Sequence, residues 1–154
     1  MASEIKVDTV SEKTTGSGVT IDSVTLKDGA VVGAALTDYV ETDVALTSTS
    51  GVIAIDLANG NTGSITLSEN ITDIDFTNVP ANGVSTFTLQ ITQDSTDRTV
   101  AINAVTVNGG GNVTAKTAGG AGYTMSTGSG AIDLVTFLFV DAGTPLLNAL
   151  QNFS

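Results

Sequence analysis

From Val52 to Gln93 the apolar side chains fall at every second position, in short runs separated by turn residues. In "VIAIDL" (52–57), Ile53, Ile55 and Leu57 share one face, with Val52, Ala54 and Asp56 on the other. "SITLS" repeats the scheme with Ile65 and Leu67, and "TDIDF" repeats it with Ile74 and Phe76. "STFTLQITQ" sets Phe87, Leu89 and Ile91 against Thr86, Thr88, Gln90 and Thr92. A period of two belongs to strands with one buried and one solvated face. The runs are cut by "ANGNTG", "PANG" and "DSTD", whose Asn, Asp, Gly and Pro residues favour turns.

The pattern continues toward the C-terminus. Strands are expected at 98–103 ("RTVAIN"), 104–107 ("AVTV") and 131–140 ("AIDLVTFLFV"). In the last of these, Val135, Phe137 and Phe139 alternate with Leu134, Leu138 and Val140. Its β-branched and aromatic content favours a central strand covered on both sides over a helix. "DAGTP" then turns the chain into "LLNAL", a last strand or a short helical turn. The expected fold is all-β: an antiparallel, jelly-roll-like β-sandwich over residues 44–154. Its predicted interior holds the inward residues named above, together with Val135, Phe137 and Phe139. A helical turn is expected only around 34–42.

The first residues differ. Ile5, Val7, Val19, Ile21, Val24 and Leu26 are single apolar residues spread among Ser, Thr, Gly and acids. Strand pairs with so thin a core are marginal alone in water. Residues 1–33 are therefore expected to form an extended β arm that is ordered by a partner, because unpaired strands readily add to neighbouring chains. A strand pair tucked against the chain's own sandwich is the plainer alternative. Residues 34–43 serve as the linker.

Composition excludes several kinds of chemistry. The chain has 154 residues, no cysteine and no histidine. Disulfides, thiolate catalysis, Ser-His-Asp triads and the usual zinc ligand sets are ruled out. The net charge is −11, and five basic residues are scattered at Lys6, Lys13, Lys27, Arg98 and Lys116. No basic stripe exists to neutralise phosphates, so neither nucleic acid nor an anionic membrane is an expected partner. No apolar run approaches the ~20 residues that span a bilayer, so no membrane insertion is expected. "MASEIKVD" lacks the basic and apolar regions of a signal peptide, so synthesis in a cytoplasm without the usual secretory export is expected. Charged residues make up only 14% of the chain, against roughly 25% in ordinary domains. A surface of Ser, Thr, Asn and Gly suits faces buried against copies of the same chain, or work outside cells.

The glycine-rich run 108–130, "NGGGNVTAKTAGGAGYTMSTGSG", contains no GxxxxGK[ST] and leads into no helix pattern. It reads as connections between short strands. Such loops can form a contact surface. Gly110, Asn112 and Gly120 are the candidates, with Tyr123 as the aromatic able to stack on a sugar or peptide. Asp73 and Asp75 project from one strand face, and Asp94 and Asp97 form turns. Nothing marks either pair as the two carboxylates of a glycosidase. No EF-hand spacing points to calcium, and no cofactor or metal is expected.

The opening stretch, "IKVDTVSEKT…GVTIDSVTLKDG", resembles a segment near the starts of structural proteins of tailed bacteriophages, particularly marine ones. The matching positions are 5–9, 12–14, 18–22 and 26–29. The part from "GSITLSENITDIDF" through "STFTLQITQD…RTVAIN" to "AIDLVTFLFVDAG…ALQNF" is similar to β modules at the ends of phage fibres. The chain has no long repetitive shaft, and "NAVTV" stands where such modules often carry a tryptophan. The resemblance implies a non-enzymatic protein of the virion exterior, a homotrimer bound to other virion proteins. On that footing the first expectation is a short fibre-like attachment protein whose loops meet a host surface glycan or protein. A capsid decoration protein clamping neighbouring capsomers is the second, and an extracellular carbohydrate-binding sandwich is a third of another class.

Overall fold

In the computed structural model, residues 39–153 are described, all but Tyr39 within a unit spanning Val40–Ser154. The arm expected over residues 1–33, and most of the helical turn expected near 34–42, lie outside the described residues. The first strands are β1 (Asp43–Ala45), β2 (Ser48–Thr49) and β3 (Val52–Asp56). β2 and β3 form a hairpin closed by Ser50 and Gly51, with φ of 54° and 81°. Positive φ at both central residues is the turn that matches the twist of paired strands. Gly51 is needed there twice over, since a Cβ would also stand 2.9 Å from Thr72 Oγ1.

From β3 the chain winds between two sheets. β4 (Thr62–Thr66) and β6 (Val84–Thr92) lie in one, and β5 (Asp73–Thr77) and β7 (Ala104–Val107) lie in the other. Each pair of crossings returns the chain to its starting sheet in the same direction. β1, β4 and β6 therefore run parallel, as do β3, β5 and β7. Short strands β8 (Val113–Thr114) and β9 (Lys116–Thr117) follow, and then β10 (Ile132–Val140) and β11 (Leu146–Phe153) close the chain as an antiparallel pair. The sheet orders are β1-β4-β6-β10-β11-β9, hereafter the long sheet, and β2-β3-β5-β7-β8, the short sheet. The expected antiparallel pairing is thus corrected: both sheets are mixed. Parallel neighbours need a crossover connection, and here a strand of the opposite sheet supplies it.

The two sheets face each other across one apolar core. Phe76 of the short sheet meets Phe87, Phe137 and Phe139 of the long sheet at ring-centroid distances of 5.8, 5.0 and 4.9 Å. Ile53, Ile55, Ile65, Leu67, Ile74, Leu89, Ile91 and Val135 are buried with them, while Leu57 packs at the margin. Two expectations are corrected. "RTVAIN" forms no strand: it touches its neighbour through a single bridge, Ile71 to Val100, and turns at Ala101, although Ile102 is buried. β10 is central, between β6 and β11, but only its inner row is fully buried. Among the described residues nothing covers Leu134 and Leu138, which are half-buried, or Val140, which is 50% exposed.

Candidate functional site

After β7 the chain turns through Asn108 and Gly109, both at positive φ, and pairs back as β8. It then changes sheets within three residues. Ala115 N donates to Asn103 O at 2.8 Å, and Lys116 N donates to Pro145 O at 2.8 Å, which brings β9 to the edge of β11. Ala115, buried, is the pivot. The swing opens a groove of about 410 Å³ walled by Asn103, Thr114, Lys116, Thr117, Gly120 and Gly122. A second groove of about 300 Å³ shares Asn103 and Thr114 and is walled by Asn112 and Tyr123.

The structure brings three of the four predicted loop residues to these grooves. Asn112 is held by its own amide, which donates from Nδ2 to Asp73 Oδ1 at 2.6 Å. Gly120, at φ 73°, ends a 3₁₀ turn over Ala118–Gly120. Tyr123 is half-buried against the core, and its hydroxyl donates to Asn148 Oδ1 at 3.2 Å. Gly110 stands apart in the β7–β8 turn, with its N–H donating to Val107 O at 3.0 Å. Ile5, Val7, Val19, Ile21, Val24 and Leu26 lie outside the described residues.

Five of the named groove residues escaped the sequence reading: Thr114, Lys116, Thr117 and, packed against each other, Asn103 and Gly122. Asn103 presents a buried Oδ1 with no hydrogen-bond partner among the described residues. Gly122 passes so close that a Cβ there would fall 2.3 Å from Asn103 Nδ2. Neither carries a local signal, since one lies in a run that reads as a strand and the other in a run full of glycines.

Two buried polar side chains, Gln93 and Asp133, and the more exposed Asp94 and Asp97 fasten the neighbouring loops. Gln93 accepts from Arg98 N at Oε1 and donates from Nε2 to Arg98 O and Ser126 O. Asp133 accepts from Ser126 N at 2.6 Å and Asn152 N at 2.8 Å. Asp97 accepts from Gly128 N at 2.7 Å. Asp94 forms the expected turn, accepting from Thr96 N, and also pairs with Arg98 at 2.8 Å. The Arg98 hydrogen bond, followed by that from Thr96, holds the Asp94 carboxyl below the usual carboxylate range and raises the Arg98 guanidinium.

The groove walls offer amides, hydroxyls, backbone and one cation, Lys116, which makes no ion pair among the described residues. Among the described residues no carboxylate lines either groove. Asp73, on the outer side of the short sheet, stands behind the wall residue Asn112, accepting from its amide and from Thr106 Oγ1. Among the described residues no group of three or more His, Cys, Asp or Glu could hold a metal. Such a surface can hydrogen-bond a hydroxyl-rich ligand and lay it beside an aromatic ring. Compared with known proteins, the chain matches no family model, no curated protein and no solved structure.

Proposed function

We propose that this chain is a non-enzymatic structural protein of the exterior of a tailed-phage particle, a short fibre-like attachment protein made in the host cytoplasm. Residues 1–33 anchor it to other virion proteins, and the sandwich, as a homotrimer, presents its loops to a host surface glycan or protein. The observation that carries this reading is the pair of grooves walled by Asn103, Asn112, Thr114, Lys116 and Tyr123. They are polar, are lined by no carboxylate among the described residues and sit on loops fastened to a rigid core, which suits recognition of hydroxyls. The resemblance of residues 5–29 to phage structural proteins supports the anchoring role. An acidic chain also fits the outside of a particle better than contact with packaged DNA.

Removing residues 1–33 tests the division of labour. The truncated protein should fold and bind host cells while no longer entering particles. Normal incorporation would refute an arm-based anchor, and loss of folding would make the arm part of the fold. Asn103→Ala and Tyr123→Ala in the full chain should abolish cell binding while leaving incorporation intact. Capsid decoration, clamping neighbouring capsomers, is the second reading. Density for the chain at capsomer junctions rather than on the tail would decide for it.

A further inference from the structure

The outer face of the long sheet carries an apolar stripe along β10 and β11, broken once at the paired Thr136 and Asn148. Val84 of β6 stands opposite Val140, Leu138 opposite Leu146, Leu134 opposite Leu150, and Ile132 opposite Phe153. Val84, Val140, Leu146, Leu150 and Phe153 are each about half exposed or more, at 67, 50, 49, 54 and 48%. Together they expose on the order of 500 Å², near the top of what the largest patch on a typical monomer reaches. Thr86, Thr88, Gln90 and Thr92 border the stripe on β6.

Charge selects the occupant. Among the described residues this face bears no ionised side chain from β4 to β11, and its charges stand on the two edge strands, Asp43 on β1 and Lys116, in register with Leu146, on β9. The outer face of the short sheet instead carries Asp56, Asp73 and Asp75. In a chain of net charge −11, copies meeting through the short sheet would oppose carboxylates, whereas copies meeting through the stripe would not. The stripe is also self-complementary, since rows of Val and Leu pack against identical rows as the inner faces of a sandwich do. With its threonine border it approaches the ~800 Å² per partner of a stable interface.

We infer that this stripe is the surface through which a second copy of the chain binds, resting on the reading that the protein works as an assembly of copies. Burying it removes the apolar side chains from water and strands no carboxylate; the nearest charge is Lys116 of β9, in register with Leu146 at the sheet edge. Val140→Glu and Leu150→Glu, made separately in the full chain, place a carboxylate on the stripe away from Lys116 and cost the exposed protomer little.

Sedimentation velocity at micromolar concentration reads the result, with circular dichroism confirming the fold. The wild type should sediment as an oligomer and each variant as a monomer, self-association weakening about 100-fold or more because like charges then face each other. Thr66→Glu, on the same face but away from the stripe, should leave the oligomer intact. If the variants sediment as the wild type does, the copies meet elsewhere, and the stripe is excluded while the assembly reading stands. A monomeric wild type overturns both.

Discussion

Replacing Asp133 with asparagine tests how the loops are fastened to the core. Asp133 stands in the inward row of β10, beside Val135 and Phe137, and is only 3% exposed. Each of its oxygens accepts one backbone N–H, from Ser126 and from Asn152, so a single carboxylate ties the glycine-rich segment to the end of β11. Asparagine keeps the shape and one acceptor but turns an amide against the other N–H. A hydrogen bond to a charged group contributes roughly 1.5–3 kcal/mol, and a buried donor left without a partner costs about 1–3 kcal/mol. The sum, about 2.5–6 kcal/mol, is a large share of the roughly 5–15 kcal/mol that holds an ordinary domain. At about 4 °C per kcal/mol for a domain of this size, Tm should fall by about 10–24 °C. Urea unfolding gives the free energy, and amide exchange shows its origin: Ser126 and Asn152 should exchange faster than the β6 amides. A loss under about 1 kcal/mol, with exchange at those two amides unchanged, would refute the tether.

Phe76→Ala should cost about 3–5 kcal/mol in denaturant unfolding, because its ring fills the space between Phe87, Phe137 and Phe139. Gly63→Ala should cost about 1–3 kcal/mol, since the new methyl would lie 2.9 Å from both Leu46 Cδ1 and Phe87 Cζ, and a cost near zero would show that these neighbours yield. Acid should destabilise the fold. The Asp94 carboxyl is held low by Arg98 and Thr96, and that of Asp56 by hydrogen bonds from Asn78 and Ala58. The unfolded chain therefore binds more protons as the pH falls through about 4 and below, so their contribution is present above that range and lost beneath it. A urea midpoint that stays level from about pH 5 down to about pH 3 would contradict this.

The strands and the core were legible because they depend on local alternation. Ile53, Ile55, Ile74, Phe76, Phe87 and Leu89 face inward wherever their neighbours lie, and the structure buries them all. Strand direction was not legible. A strand with one buried face reads the same beside a parallel or an antiparallel neighbour, and what separates them is whether the intervening turn doubles back or crosses over. "ANGNTG" looks like hairpin chemistry, yet it carries the chain from the short sheet to the long one. The true tight hairpin, at Ser50-Gly51, joins a strand of only two residues, too short for any period. "RTVAIN" kept its β-branched content without becoming a strand, because Ile71 takes up its backbone groups and Ile102 alone fills the core. Of the site, Asn112, Gly120 and Tyr123 were legible as exposed loop chemistry. Asn103 and Gly122 were not, because their importance comes from a contact between segments far apart in sequence.

The grooves and the aliphatic stripe make separable demands on the chain. They share no side chain but they adjoin: Lys116 of the larger groove stands in register with Leu146, and Tyr123 of the smaller one donates to Asn148, between Leu146 and Leu150. Leu147 points into the core and Leu146 points out to the stripe, as the pleat of β11 requires. Asn103 and Leu150 have no partner in common, and such sites act nearly additively. A substitution at Asn103 should therefore leave assembly untouched, and a carboxylate at Leu150 should leave the groove walls in place. A fibre-like head needs this arrangement, because its copies must associate without occupying the surface that meets the host. A clamp needs the opposite, because its contact faces are its function. Which of the two surfaces is indispensable in the particle thus separates attachment from decoration without any knowledge of the ligand.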